Sequence, residues 1–98
     1  MKLWLLINNG NGGYDTYDSA VVVAKTEKDA KRIYPDDFCV YSEEHSKFVF
    51  QYASGEIEVD YDGHSWADSP NKVFVEYLGE AGTLYEEGQV ILASYNAG

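Results

Sequence analysis

The segment at residues 14–35, YDTYDSAVVVAKTEKDAKRIYP, constrains the fold more than any other, because signals for a strand, a helix start and a helix stop follow one another. Residues 19–24 include three consecutive valines, whose β-branched side chains suit a pleated surface, and we predict a buried central strand there. Thr26 has the chemistry of a helix N-cap, and Asp29 places an acid in the positive first turn. The helix is predicted over about residues 27–34, since the proline that follows prevents its continuation.

The predicted helix has one apolar stripe, formed by Ala30, Ile33 and Tyr34, that would pack against a sheet. Further strands are predicted at residues 2–7, 38–41, 47–53, 56–62, 73–78 and 89–95. We expect residues 2–7 to neighbour the valine strand, and residues 89–95 are apolar enough to be a central strand. The simplest architecture is an α+β fold, in which a single, mostly antiparallel sheet of about five to seven strands carries the short helix on one face.

Length and cysteine content predict one cytoplasmic domain. The 98 residues are enough for a single modest core. Cys39 is the only cysteine, which excludes a disulfide within the chain and is more natural in a reducing cytosol. The apolar run at residues 3–7 is far shorter than the roughly 20 residues of a membrane-spanning helix. We therefore expect a soluble protein with no membrane partner.

The net charge of −10 is distributed unevenly along the chain. Residues 1–32 contain five basic and four acidic side chains, whereas residues 33–98 contain two lysines and thirteen acids. Such a field repels nucleic acid and anionic membranes and favours a basic partner. We expect no direct binding of nucleic acid.

The chain contains the motifs YDTYDSAVVVA, VFVEYLGEA and ILASYNAG. In these three motifs it resembles small proteins encoded in phage and prophage genomes. The similarity covers the chain up to Pro35 and again after Ser69, and it does not include the segment between them. The resemblance supplies no activity to transfer; it implies an accessory protein that acts on the machinery of a host cell.

Residues 56–62, EIEVDYD, alternate acidic and apolar side chains with period two, and we call them the acidic segment. In a strand, the four acids would share one face with about 6.6 Å between neighbours. Regularly spaced carboxylates can stand in for a nucleic-acid backbone in front of a basic groove. The same pattern also suits a solvated hairpin face, or an edge strand that is charged to prevent pairing with another sheet.

Our leading hypothesis is a non-enzymatic inhibitor or modulator of anti-defence type, which occupies a basic, nucleic-acid-binding surface of a host protein. Aromatic side chains close to the acids would act as apolar contacts, although Trp66 is also expected to be tucked under its loop. The predicted partner-binding residues are Glu56, Glu58, Asp60, Asp62, Tyr61 and Trp66.

Two other functions remain open. The first is sequestration of a nucleotide-like small ligand by residues Tyr14, Asp15, Tyr17, Asp18, Lys28 and Arg32. The glycine-rich loop beside the first of these lacks the Lys-Ser/Thr of a P-loop, so a turn is the simpler reading of that loop. The second is a virion or assembly component whose acidity serves solubility.

We expect no catalysis, cofactor or functional metal. Cys39 lies in an apolar FCVY run, which predicts a buried and inert thiol. His45 and His64 stand outside any nucleophile motif. Asp60, Asp62 and His64 have a spacing that could hold a divalent ion, but the surrounding pattern departs from known calcium loops.

Overall fold

The computed structural model describes residues 1–9, 16–83 and 85–96, and its strands form two antiparallel sheets. In chain order the elements are β1 (Lys2–Asn8), β2 (Thr16–Ala24), α1 (Glu27–Lys31), β3 (Cys39–Ser42), β4 (Lys47–Gln51), β5 (Ile57–Glu58), a 3₁₀ turn (Pro70–Lys72), β6 (Val73–Glu80) and β7 (Val90–Asn96). The four-stranded sheet has the order β6-β1-β2-β7, and the three-stranded sheet has the order β3-β4-β5. The α+β class is therefore confirmed, with one short helix among mostly antiparallel strands.

The expectation of a single sheet was wrong. The pattern of a sequence indicates which backbone is extended but not which strand receives its hydrogen bonds. Here β3 and β4 pair with each other in register, with Ser42 opposite Lys47 across a tight turn in which Ser46 has a φ of 54°. Their ladder continues to β5 and not to an edge of the four-stranded sheet.

β1 and β2 are the central pair of the four-stranded sheet. They are antiparallel, with Leu5 opposite Val21, so the predicted neighbourhood of these strands is confirmed. Val22 and Val23 are fully buried, which confirms the buried central strand. β7, which we expected to be central, pairs with β2 at an edge, and 67% of Leu92 is exposed there. Apolar composition did not distinguish burial from an exposed apolar face.

The helix begins as predicted and ends earlier. The side-chain oxygen of Thr26 accepts a hydrogen bond from the backbone N–H of Asp29 at 3.1 Å. The helix ends at Lys31, because the N–H groups of Arg32 and Ile33 bond to the third residue before each, as in a tightened last turn. Within the described residues, no helix combines the length and the apolar character needed to cross a membrane.

The core lies between the two sheets and the helix. Trp4, Leu6 and Val22 from the four-stranded sheet share one buried cluster with Phe48 from the three-stranded sheet. Burying an aromatic ring of this size removes a large apolar area from water, at roughly 25 cal/mol per Å². The cluster also includes Ala30 of the helix, so all three parts of the described structure contribute to one core.

Candidate functional site

The acidic segment lies at the free edge of the three-stranded sheet, and only part of it is a strand. β5 is limited to Ile57–Glu58, whereas Asp60 lies in a turn and Asp62 in irregular backbone. The strand predicted over residues 56–62 is therefore too long, and the four carboxylates do not form one evenly spaced row along a strand.

A hydrogen bond from the next segment explains why the strand stops. β5 pairs with β4 through Gln51 opposite Ile57 and Phe50 opposite Glu58. A longer β5 would need the N–H group of Phe48, which lies on β4 two residues before Phe50. This N–H group donates instead to the carbonyl oxygen of Asp68 at 2.9 Å. The later segment thus occupies the edge that a longer β5 would use.

The four predicted carboxylates are nevertheless all exposed. Solvent reaches the side chains of Glu56, Glu58, Asp60 and Asp62. Within the described part of the chain, the two ion pairs that form join Lys25 to Glu87 and Lys72 to Asp68, so none of these four acids has a basic partner. The segment presents unneutralised negative charge on the surface.

The two aromatic residues predicted to contact a partner are placed differently. Trp66 is 0% exposed, which agrees with the expectation that it is tucked under its loop and removes it from a partner surface. Tyr61 is half-buried, with its ring centroid 4.8 Å from that of Phe50 and 5.2 Å from that of His64. Tyr61 therefore contributes mainly to packing under the segment.

Two other apolar side chains take the position that we predicted for these aromatics. Ile57 lies within the acidic segment and is 42% exposed, and Tyr52 is 46% exposed. The N–H of Tyr52 donates to the carbonyl of Glu56 at 2.8 Å across the turn that contains Gly55, where φ is +94°, so the backbone of Tyr52 lies next to the start of the acidic segment. The Tyr52 ring packs edge-to-face on Phe50, with centroids 4.9 Å apart. A tyrosine next to a Ser-Gly turn was the available sequence signal for this residue.

The residues predicted to bind a small ligand are only partly brought together. Lys28 and Arg32 both line a surface cavity of about 540 Å³. Tyr17 instead packs edge-to-face on Tyr95, at 4.9 Å between centroids, and Asp18 is an exposed residue of the same strand β2. Tyr14 and Asp15 lie outside the described residues.

The cavity is lined by three parts of the chain whose proximity we did not predict from the sequence. Besides the basic residues after and within the helix, its lining includes Tyr41 and Ser46 of the β3–β4 hairpin and Asn71 of the 3₁₀ turn. Nothing in the sequence pattern places the hairpin opposite the helix, because this contact depends on how the two sheets meet.

A cluster of polar side chains lies inside the fold beside Cys39. The hydroxyl of Tyr34 accepts from the N–H of Ser65 at 3.0 Å and is 3.0 Å from Nδ1 of His64. The hydroxyl of Ser65 donates to a carboxylate oxygen of Asp36 at 2.7 Å, and the sulfur of Cys39 is 4.0 Å from Nδ1 of His64. These contacts connect the end of the helix to the loop after β5.

The ionisation of this cluster does not favour nucleophilic chemistry. Burial raises the pKa of the Cys39 thiol to about 11, and burial also lowers the pKa of His64. At neutral pH the pair is therefore a protonated thiol beside a neutral imidazole, whereas an activated cysteine needs a thiolate. The prediction that Cys39 is buried is confirmed.

The predicted metal spacing is not realised as a site. In the part of the chain that the structure describes, no group of three or more histidine, cysteine, aspartate or glutamate residues is arranged to hold a metal ion. His64 is directed at Tyr34, while Asp60 and Asp62 are exposed.

Comparison of this chain with family models, with curated proteins and with solved structures finds no match.

Proposed function

We propose that this chain is a small, acidic, non-enzymatic binding protein that occupies a basic, nucleic-acid-binding surface on a host protein. The observation that carries the proposal is the exposure of all four carboxylates of the acidic segment, with no basic partner for any of them among the described residues. Carboxylates without partners keep their full attraction for a cationic surface.

The position of Glu58 in the edge strand β5 adds to the proposal. The residues of β5 pair with β4 on one side and leave the other side unpaired among the described strands. The exposed Ile57 and Tyr52 supply apolar area next to the charge, and a centre of apolar contact with a charged rim is the usual composition of a protein interface. The protein would thus compete with nucleic acid because its surface is negatively charged, as nucleic acid is, and not because its carboxylates form a regular row.

The charge of the remaining chain would act at longer range. Residues 33–98 contain thirteen acids and two lysines. A field of one sign accelerates encounter with a basic partner, and salt weakens it because charges are screened beyond about 10 Å at 0.1 M. Fast, salt-sensitive association is therefore expected.

The test is affinity capture from a bacterial lysate, in which the wild-type protein is compared with a variant whose acidic segment is neutralised. The variant is Glu56→Gln, Glu58→Gln, Asp60→Asn and Asp62→Asn. A matched control removes four other exposed acids through Asp37→Asn, Glu43→Gln, Glu44→Gln and Glu86→Gln. Proteins captured by the wild type and by the control, but not by the segment variant, should be found by mass spectrometry.

The captured proteins should also respond to salt and to nucleic acid. Raising the salt from about 0.05 M to about 0.5 M should release them, and so should added duplex DNA, because both compete for the basic surface. Capture by the segment variant at the wild-type level, or failure of DNA to compete, would contradict the proposal.

A further inference from the structure

The surface cavity beside the helix has an unusual charge for this protein. It is an open cavity with a volume of about 540 Å³, within the range of roughly 300–1,000 Å³ that small-molecule sites occupy. Three of the seven basic residues of the chain, Lys28, Lys31 and Arg32, line it, although acids outnumber bases by seventeen to seven overall. The cavity is thus a local basic region on an acidic molecule.

These three cations are not neutralised by the protein itself. Among residues 1–9, 16–83 and 85–96, no carboxylate oxygen lies within 4.0 Å of any of their nitrogen atoms, whereas Lys25 and Lys72 each have an acidic partner. Glu27, which also lines the cavity, makes no such pair. Lys28 and Lys31 stand three residues apart on the helix, a spacing at which side chains are neighbours and like charges repel each other. A bound anion would remove this repulsion.

Arg32 is held in place by an aromatic ring. The carbon at the centre of its guanidinium lies 4.3 Å from the centroid of the Tyr41 ring. Stacking of this kind stabilises the cation and leaves the N–H groups at the edge of the guanidinium available for an anion. Because the side chain is already positioned by the ring, less conformational entropy is lost when it binds a ligand.

The groups around the three cations favour a phosphate. The three cations and the one carboxylate, Glu27, give the lining a net charge of +2, which complements the charge of about −1.5 to −2 on a phosphoryl group. The guanidinium can also donate two parallel hydrogen bonds to the phosphoryl oxygen atoms. Ser46 and Asn71 add neutral polar groups to the lining. We propose that this cavity binds a small phosphorylated molecule, with Lys28, Lys31 and Arg32 as the ligands of its phosphate.

This site is independent of the proposed partner surface. The cavity is formed by the helix region, the β3–β4 hairpin and the 3₁₀ turn, and no residue of the acidic segment lines it. The four-acid variant of that segment should therefore retain the site.

The test uses inorganic pyrophosphate as the probe. Its binding is measured by titration calorimetry and by the shift that it causes in the melting temperature. The wild type should bind pyrophosphate saturably, and its melting temperature should rise, because a ligand that binds the native state stabilises it. The double variant Lys31→Gln with Arg32→Gln should bind about a hundredfold more weakly, at about tenfold for each lost charged contact.

A matched double variant provides the control. Lys2→Gln with Lys25→Gln removes the same charge at exposed positions that do not line the cavity and should bind as the wild type does. Equal melting temperatures of the variants without pyrophosphate would show that folding is unchanged. Absence of saturable binding by the wild type, or an equal loss in the control variant, would overturn the proposal.

Discussion

At the scale of single residues, the contacts of His64 best show how burial determines ionisation in this protein. The pKa of its imidazole is lowered because burial disfavours the charged form, and this outweighs the opposite effect of Asp68 and Asp36. Burial likewise raises the pKa of Tyr34, whose hydroxyl is 3.0 Å from Nδ1 of His64. A protonated tyrosine beside a neutral histidine is consistent with a hydrogen bond from the hydroxyl to the ring nitrogen.

This arrangement predicts a loss of stability in mild acid. Because the pKa of His64 is lower in the folded state, the unfolded chain binds more protons as the pH falls below about 6.5. The free energy of unfolding should therefore be fully retained above that pH and should decrease as the pH falls toward the lowered pKa. Urea unfolding at a series of pH values would measure it.

The variant His64→Asn keeps a polar side chain and cannot take up this proton. We expect it to be less stable than the wild type at pH 8, where the contact with Tyr34 is weakened, and to show a smaller decrease between about pH 6.5 and pH 5. An equal pH dependence in both proteins would show that another group is responsible.

At the scale of elements, β4 connects the three-stranded sheet to the shared core through Phe48. Phe48 of β4 is 0% exposed and packs against Tyr34, with ring centroids 5.2 Å apart. Phe38, just before β3, is 63% exposed and stacks on Phe50 with centroids 6.3 Å apart. Two phenylalanines of one hairpin thus differ in burial because only one lies between the sheets.

Alanine substitution of Phe48 and of Phe38 should show that the buried ring stabilises the fold and that the exposed ring contributes little. Phe48→Ala should lower the free energy of unfolding by about 3–5 kcal/mol, since it removes a buried ring and leaves a cavity. Phe38→Ala should change it by only about 0.5 kcal/mol. Chemical unfolding followed by tryptophan fluorescence would measure both, and Phe48→Leu gives a milder variant for the case in which Phe48→Ala does not fold.

Similar effects of the two alanine substitutions would mean that the three-stranded sheet does not pack on the core through Phe48. The helix would then be expected to lose part of its support as well, because Tyr34, three residues after its end, belongs to the same buried cluster.

At the scale of the whole molecule, the charge of −10 opposes compaction as well as directing encounter. The described ion pairs are two exposed ones, Lys25 with Glu87 at 3.7 Å and Lys72 with Asp68 at 3.0 Å, and exposed pairs of this kind contribute little. Most of the repulsion among the acids is therefore not offset by local pairing.

Adding salt should consequently stabilise the protein. Between about 0.05 M and about 0.5 M sodium chloride, the melting temperature should rise by about 4–8 °C, which corresponds to about 1 kcal/mol in a chain of this size. Both four-acid variants described above should show a smaller rise, because each carries four fewer negative charges. A melting temperature that is independent of salt would contradict this account.

Local features of the fold followed from the sequence because neighbouring residues produce them. The N-cap at Thr26 depends on a side chain and an N–H group three residues apart, and the valines of β2 favour an extended backbone through their own branching. The exposure of Glu56, Glu58, Asp60 and Asp62 was expected because isolated carboxylates are costly to bury.

Features that depend on distant parts of the chain could not be predicted in this way. The division into two sheets, the early end of β5 at Glu58 and the edge position of β7 all depend on which backbone groups are already bonded elsewhere. The sequence left two roles open for Trp66, burial under its loop and contact with a partner, and its complete burial in the structure decides for the first.

By itself, therefore, the sequence determined the type and approximate position of most elements, the cap and the acidic character of the surface. Only the tertiary structure decided that Lys28, Lys31 and Arg32 line one cavity together with Tyr41, because that meeting requires the hairpin of the second sheet to pack beside the helix. Short-range chemistry acts between neighbours in the chain, whereas a cavity exists only where segments far apart in sequence are held together by a shared core.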